Sequence, residues 1–381
     1  MIRLDINKPI AETKVVVAMS GGVDSSTVAA LVKEAGYETI GITLQLYDHG
    51  AALQKKGACC AGQDIHDAQR VAEKIGIPHY VLNYESLFKE SVMEDFADSY
   101  LRGETPIPCV RCNQSVKFRD LYKVAKDLNA DALVTGHYVQ RIRTPEGVQL
   151  LRGSDPDKDQ SYFLFATTKE QLDFLHFPLG GMTKEETRKQ AERFGLPVAD
   201  KPDSQDICFV PNGNYAKVIE KLRPQAFDPG EIVHIDGTVL GRHEGIVHYT
   251  IGQRRGIGIA WYEPLYVVKV DAAAKRVIVG PESALDTQAF TIRELNWLSD
   301  KTIPENGLPV EVKLRSAQEP VPATLFPKTA DGKYGVTVRP AQRAVTPGQA
   351  CVMYQGARVL GGGWITTDHK NNHGSTGAGA V

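Results

Sequence analysis

The apolar pattern changes rhythm part-way along the chain. Residues 15–19, 39–46, 79–82 and 132–135 are short apolar runs that read as buried strands. Between and after them, 26–35, 64–75, 87–101 and 117–128 read as helices. Alternating strands and helices predict an α/β fold, a Rossmann-like parallel sheet covered by helices. Its ligand is expected beyond the carboxyl ends of the strands. A further helix is expected over 184–194. After about residue 214 a helix at 215–221 gives way to strands. From 283 onward, β-rich runs at 310–314, 321–326, 334–338 and 350–355 are separated by Gly and Pro, and they predict a small β-barrel. The expected organisation is a catalytic domain over 1–214, a central connecting domain over 215–282, a C-terminal β-barrel over 283–367 and a disordered, glycine-rich tail over 368–381.

The bulk numbers narrow the class. The 381 residues suffice for two or three domains with real cores. A composition of 42% hydrophobic and 24% charged residues is that of a soluble globular protein. No apolar run approaches membrane-spanning length, and residues 1–14 lack the apolar core of a signal peptide, so a cytoplasmic location without membrane association is expected. The net charge of −2 does not call for nucleic acid, so RNA binding would need a local patch.

One loop carries the strongest chemical signal. Ser20-Gly21-Gly22-Val23-Asp24-Ser25-Ser26 lies between the first strand and the first helix. Its glycines let backbone approach an anion, and turn N–H groups and the helix N-terminus point at it. The hydroxyls of Ser20, Ser25 and Ser26 add donors. Asp24 suits either orienting the loop or helping to hold a metal on phosphates. No Gly-Lys-Ser/Thr ending follows, which excludes the P-loop of ordinary ATPases. An ordinary glycine-serine turn is the plain alternative. The motif resembles the PP-loop of the ATP pyrophosphatases, which split ATP into AMP and pyrophosphate.

Six cysteines occur, and in a large chain without an export signal they do not read as a disulfide framework. Cys109-Val110-Arg111-Cys112 is a C-x-x-C, and Cys208 closes the run Asp203-Ser204-Gln205-Asp206-Ile207-Cys208. A nearby cation lowers a thiol pKa, and Arg111 is a candidate. Three readings stand: a zinc knuckle, which lacks its second C-x-x-C; an iron–sulfur cluster on Cys109, Cys112 and Cys208 with one iron open; and a redox-active thiol pair. Cys59-Cys60 and Cys351 read as loop or core positions.

Taken together, these features make the chain similar to the tRNA-specific 2-thiouridylase family. The likeness also rests on Thr135-Gly136-His137-Tyr138, Lys158-Asp159-Gln160-Ser161-Tyr162-Phe163-Leu164, Asp203 to Phe209, and His248-Tyr249-Thr250-Ile251-Gly252-Gln253-Arg254-Arg255-Gly256. The resemblance implies ATP at Ala18, Met19, Ser20, Gly21, Gly22, Val23, Asp24 and Ser25, with adenine near Leu44 and Gly136. It implies Mg²⁺ on the phosphates, a persulfide on Cys208, and Cys112 as the nucleophile that frees the sulfur or closes a disulfide with Cys208. Many members of that family carry Asp where this chain has Cys109. The exchange weakens an acid/base role there and leaves the 4Fe-4S cluster reading open.

The resemblance also implies contacts with the tRNA anticodon loop at His137, Lys158, Asp159, Gln160, Arg315, Ser316 and Gln349. The family often has tyrosine where Ser316 stands, so stacking is lost there. Lys158 and Arg315 are alternatively solvated charges, His137 a bonded loop residue and Gln349 a turn residue. An upstream persulfide donor, a cysteine desulfurase or sulfur-relay protein, is implied as a partner. A monomer is expected, since no hydrophobic strip demands a dimer. The competing functions are a PP-loop small-molecule ligase and a tRNA-binding module without catalysis.

Overall fold

Val15, Val16 and Val17 are fully buried. Consecutive β-branched residues buried on both faces belong to a central parallel strand. In the computed structural model they lie in strand β1 (Lys14–Ala18). The structure describes residues 2–47, 60–203, 207–210 and 213–366. The expectations for Cys59, Ser204 to Asp206 and the tail at 368–381 lie outside those residues.

Two compact units form. The first comprises Met1–Phe96, Pro108–Val218 and Gly356–Leu360; the second comprises Ala97–Ile107, Ile219–Gln355 and Gly361–Val381. In the first, β1 pairs in parallel with β2 (Glu38–Gln45) on one side and β4 (Ala132–Val134) on the other. The strands β3 (His79–Asn83) and β7 (Leu175–His176) complete a five-stranded parallel sheet of order β3-β2-β1-β4-β7. The order reverses between β1 and β4, so the crevice beyond their carboxyl ends is the ligand position of this topology.

Helices Val23–Glu34 and Cys60–Ile75 seal one face of that sheet. The first buries Val28, Ala29, Ala30 and Val32; the second turns Ala68, Val71 and Ala72 inward at i, i+3 and i+4. Small alanines let the helices lie close to the sheet. The helix expected over 87–101 is present as Glu85–Phe88 and Glu94–Leu101, joined by a π-helical turn at Lys89–Met93. A second π-helical turn, Asn113–Lys117, follows the short helix Pro108–Cys112. The helix expected over 117–128 therefore starts later, at Asp120. A hairpin of β5 (Val139–Thr144) and β6 (Gly147–Arg152), not anticipated from the sequence, follows β4.

The second unit contains two β-structures. The strands β8 (Gly230–His234), β9 (Val239–His243), β10 (Tyr266–Asp271) and β11 (Arg276–Gly280) form a sheet of order β10-β11-β8-β9 around Ile232, Val267, Val277 and Val279. The strands β12 (Asp286–Trp297), β13 (Leu308–Lys313), β14 (Val321–Lys328), β15 (Tyr334–Arg343), β16 (Ala350–Gln355) and β17 (Arg358–Ile365) follow. They run in the order β12-β15-β14-β13-β16-β17, and β12 pairs back with β17, closing the expected barrel. Closure removes the open edges. Phe290, Val312, Leu325, Val336 and Met353 share its inner face, and Cys351 is fully buried in β16.

The excursion at 97–107 is tied into the second unit by a buried carboxylate. Glu104, 3% exposed, accepts from Arg293 at 2.9 and 3.2 Å and from Arg102 at 3.1 Å. Beside it, Thr105 N–H donates to the Pro347 carbonyl at 2.8 Å.

Candidate functional site

At the reversal point of the sheet, β1 runs out through Ala18 and the buried Met19 into Ser20, Gly21 and Gly22. Gly22 is the N-cap of helix Val23–Glu34, and no side chain caps it. The first N–H groups of that helix lack intrahelical carbonyl partners, so the turn presents donors. The hydroxyl of Ser25 stitches the loop: it accepts from Ser20 N–H at 3.1 Å, lies 3.2 Å from Ser20 Oγ and donates to the Gly22 carbonyl at 3.3 Å. Gly21 has φ of +76°, and a β-carbon there would sit 2.0 Å from the Asp64 carbonyl oxygen. Only glycine fits. Gly136, on the loop after β4, leaves a similarly tight space: its β-carbon would lie 2.9 Å from Ser25 N. Leu44, half-buried near the end of β2, pairs with Leu82.

Asp24 faces a lysine. The Nζ of Lys184 donates to its two oxygens at 2.7 and 2.9 Å, and the Tyr138 hydroxyl donates at 2.8 Å. Lys184 also lies 2.7 Å from Asp203. Asp203 in turn accepts from Lys158 at 2.7 Å and Arg188 at 3.2 Å. Burial raises the Asp203 pKa, but the hydrogen bonds and charges of Lys158 and Lys184 overcome it and hold the group down at about 2. On the other flank, Lys201 donates to the Gly21 carbonyl at 3.0 Å and to Asp64 and Asp67 at 2.7 Å each.

The three thiols gather in the same unit. Cys112 is buried, while Cys109 and Cys208 reach solvent. Protein atoms crowd Cys208, and this desolvation, then the proximity of Cys112 and Cys109, pushes its thiol up to about 12. Burial also raises Cys109 and Cys112. The charge that opposes these shifts at all three thiols is Lys117, which the sequence reading did not single out. The proposed cation, Arg111, pairs with Asp95 at 3.6 Å and Gln114 at 3.1 Å. Among the described residues, no three or more His, Cys, Asp or Glu side chains are arranged to hold a metal ion.

The residues expected to touch RNA have varied surroundings. His137 bonds Thr135 Oγ1 at 2.7 Å and packs edge-on against Phe118 and Phe177. Burial, helped by the charge of Lys117, pushes its pKa down to about 3, so it is neutral. Asp159 turns inward, accepting from Gly153 N–H and Ser161 N–H at 3.0 Å each. Gln160 accepts from Tyr138 N–H at 2.9 Å and braces the 136–138 loop. In the second unit, Arg315 donates to the Arg343 and Ala344 carbonyls at 2.9 and 3.0 Å. Ser316 is half-buried in the turn beyond it. Arg315 and Gln349 line a cleft of about 430 Å³ with Thr250, Gly252 and Arg343.

Three family models match consecutive stretches of the chain. They are a tRNA methyl transferase HUP domain over 13–212, a tRNA methyl transferase PRC-barrel domain over 216–281 and an aminomethyltransferase beta-barrel domain over 287–365. The tRNA-specific 2-thiouridylase MnmA of Rickettsia massiliae is 62% identical over 95% of this chain and 99% of its own. Its namesake from Rhodospirillum centenum is 62% identical over 96% of this chain and 94% of its own. The chain belongs to the tRNA-specific 2-thiouridylase family. A solved 4-thiouridine synthetase–RNA complex with bound ATP is more distant, at 18% identity and a TM-score of 0.37 over 56% of this chain and 51% of that one. Within this thiouridylase, Tyr138, Lys184 and Lys201 join the loop residues found from sequence. Of these, only Tyr138 lies inside a motif that the sequence had singled out.

Proposed function

We propose that this chain adenylates the 2-oxygen of the wobble uridine of tRNA with ATP and then replaces that oxygen with sulfur. Family membership over nearly the whole chain supports tRNA as the substrate and thiolation as the outcome. The observation that carries the chemical reading is the pairing of an uncapped helix N-terminus behind Ser20 to Gly22 with three neighbouring thiols in the same unit. The N–H groups suit ATP phosphates, and the thiols suit sulfur.

In the first step the uridine 2-oxygen attacks the α-phosphorus of ATP and pyrophosphate leaves. Ala18 to Ser25 would hold the phosphates, with the base near Leu44 and Gly136. Mg²⁺ would spread the phosphate charge, and Asp24, about one-third exposed at the loop, is the carboxylate suited to hold it. The adenylated oxygen becomes a good leaving group.

In the second step Cys208 carries the outer sulfur as a persulfide. The Cys112 thiolate attacks the inner sulfur, a Cys112–Cys208 disulfide forms, and the released hydrosulfide adds to carbon 2. AMP departs. The Cys112–Cys208 disulfide must then take up two electrons and two protons from a thiol reductant to restore both thiols, and a persulfide donor reloads Cys208. The raised thiol pKa values fit a resting site in which neither cysteine is ionised until substrate binds. His137, Lys158, Asp159, Gln160, Arg315, Ser316 and Gln349 are the proposed tRNA contacts. For Asp159 and Gln160 the hydrogen bonds support an indirect part: Gln160 braces the loop at 136–138, and Asp159 ties Gly153 to Ser161.

The test follows AMP release from α-labelled ATP, with tRNA and with tRNA whose wobble uridine is cytidine. Release that requires tRNA and vanishes with cytidine is expected. Release indifferent to tRNA would overturn the proposal and favour a small-molecule ligase.

A further inference from the structure

Lys184 is held at both ends. Its helix, Lys184–Arg193, opens with a capping box between Thr183 and Glu186, and its own backbone N–H donates to Asp155 at 2.9 Å. The side chain is 12% exposed. Its ammonium has three hydrogens, and three carboxylate oxygens stand within hydrogen-bond distance: both of Asp24 and one of Asp203.

Those two carboxylates belong to different machinery. Asp24 lies in the phosphate loop. Asp203 precedes Cys208 by five positions and sits in a stretch gripped by Arg188, which donates to the Ala199 and Lys201 carbonyls at 2.8 and 3.1 Å. Asp203 has two other cations, Lys158 and Arg188. The set of Asp24, Asp203, Lys158, Lys184 and Arg188 holds three positive charges against two negative ones. Those cations lie on one flank of a loop shaped for an anion, whose other flank carries Lys201 with Asp64 and Asp67. A triphosphate carries more charge than a carboxylate and competes for the same ammonium hydrogens. Asp203 keeps Lys158 and Arg188 when the ammonium turns away, while Asp24 keeps the Tyr138 hydroxyl.

We propose that Lys184 is a positioning residue that couples occupancy of the phosphate loop to the reactivity of Cys208, by sharing one ammonium between Asp24 and Asp203. The inference rests on the reading that ATP binds that loop. It assigns Lys184 a part in the order of the reaction: the sulfur-bearing cysteine responds once the nucleotide is in place.

The experiment uses the full chain without tRNA. The rate at which iodoacetamide alkylates Cys208 is read by peptide mass spectrometry with and without saturating Mg·ATP, and ATP binding is measured separately by equilibrium dialysis. In the wild type, ATP is expected to change the rate about threefold or more. Lys184→Met is expected to bind ATP about tenfold more weakly and, at saturation, to show no response at Cys208. Lys184→Arg restores part of the response. Asp203→Asn, which removes the other end of the link, is expected to lose the response with ATP affinity within about twofold of wild type. A full response in either uncoupled variant with ATP bound overturns the coupling. So does a wild type that binds ATP with no change at Cys208. A wild type that binds no ATP overturns the reading of the loop as well.

Discussion

A methyl group at position 136 would enter space held by the first turn of helix Val23–Glu34. The added carbon of Gly136→Ala would lie 2.9 Å from Ser25 N, 3.0 Å from Asp24 C and 3.2 Å from Ser25 Cα, where ordinary contact begins at 3.4 Å. All three neighbours are backbone, so no side chain can swing aside. The two segments must part by about 0.5 Å, and overpacking of this kind costs roughly 1–3 kcal/mol. The displaced turn is the one that presents N–H donors to the phosphates. If the whole cost falls on nucleotide binding, ATP affinity drops about 5- to 150-fold. The control is Gly181→Ala, whose new carbon meets nothing within 4 Å. Equilibrium dialysis with labelled ATP, alongside thermal melting, separates a local defect from unfolding. A folded Gly136→Ala protein that binds ATP within about twofold of wild type would refute the close-packing argument.

Other consequences are open to direct measurement. Cys208→Ser and Cys112→Ser should each abolish 2-thiouridine formation while tRNA binding, read by filter retention, persists; full thiolation by either would remove it from the proposed chemistry. Asp24→Ala should abolish AMP release while tRNA binding persists. A Cys208 thiol pushed up to about 12 should alkylate about tenfold faster for each pH unit between 7 and 10. A plateau near pH 8–9 would contradict that. Asp203 is held at about 2, below its ordinary value of 3.8, so it stabilises the fold above about pH 4 and loses that contribution as pH falls towards 2. The melting-temperature gap between wild type and Asp203→Asn should therefore close over that window. Glu104→Gln leaves two arginines facing a neutral amide; because Arg102 and Arg293 are 48% and 34% exposed, a loss of about 1–3 kcal/mol is expected in denaturant unfolding.

The strand expected at 15–19 is found at Lys14–Ala18, where burial is two-sided and a continuous apolar run has few other uses. The one at 79–82 is found at His79–Asn83, an edge strand of the same sheet with no fully buried residue. The hairpin β5–β6 escaped notice because Arg141, Arg143 and Arg152 break its apolar pattern; Arg141 is nevertheless 3% exposed, paired with Asp5. π-Helical turns shift boundaries that a 3.6-residue period cannot register. At the site, the loop at 20–26 could be read because neighbours in sequence are neighbours in space. Lys184 could not: 160 positions separate it from Asp24. Lys117 lies five residues beyond Cys112 on a turn that ordinary helical spacing does not describe, and the nearer Arg111 was the natural candidate.

The ion cluster at Glu104 bears on how such proteins can be recombined. Its carboxylate comes from a stretch interrupting the first unit, whereas Arg293 comes from β12 far downstream. A chimera joined at a single point near residue 214 would inherit the two halves of this cluster from different parents. Any mismatch would fall on the buried Glu104 carboxylate, where it is expensive. The heritable module is therefore the second unit together with its distant eleven-residue strip, and exchanging it whole between relatives calls for five seams, not one.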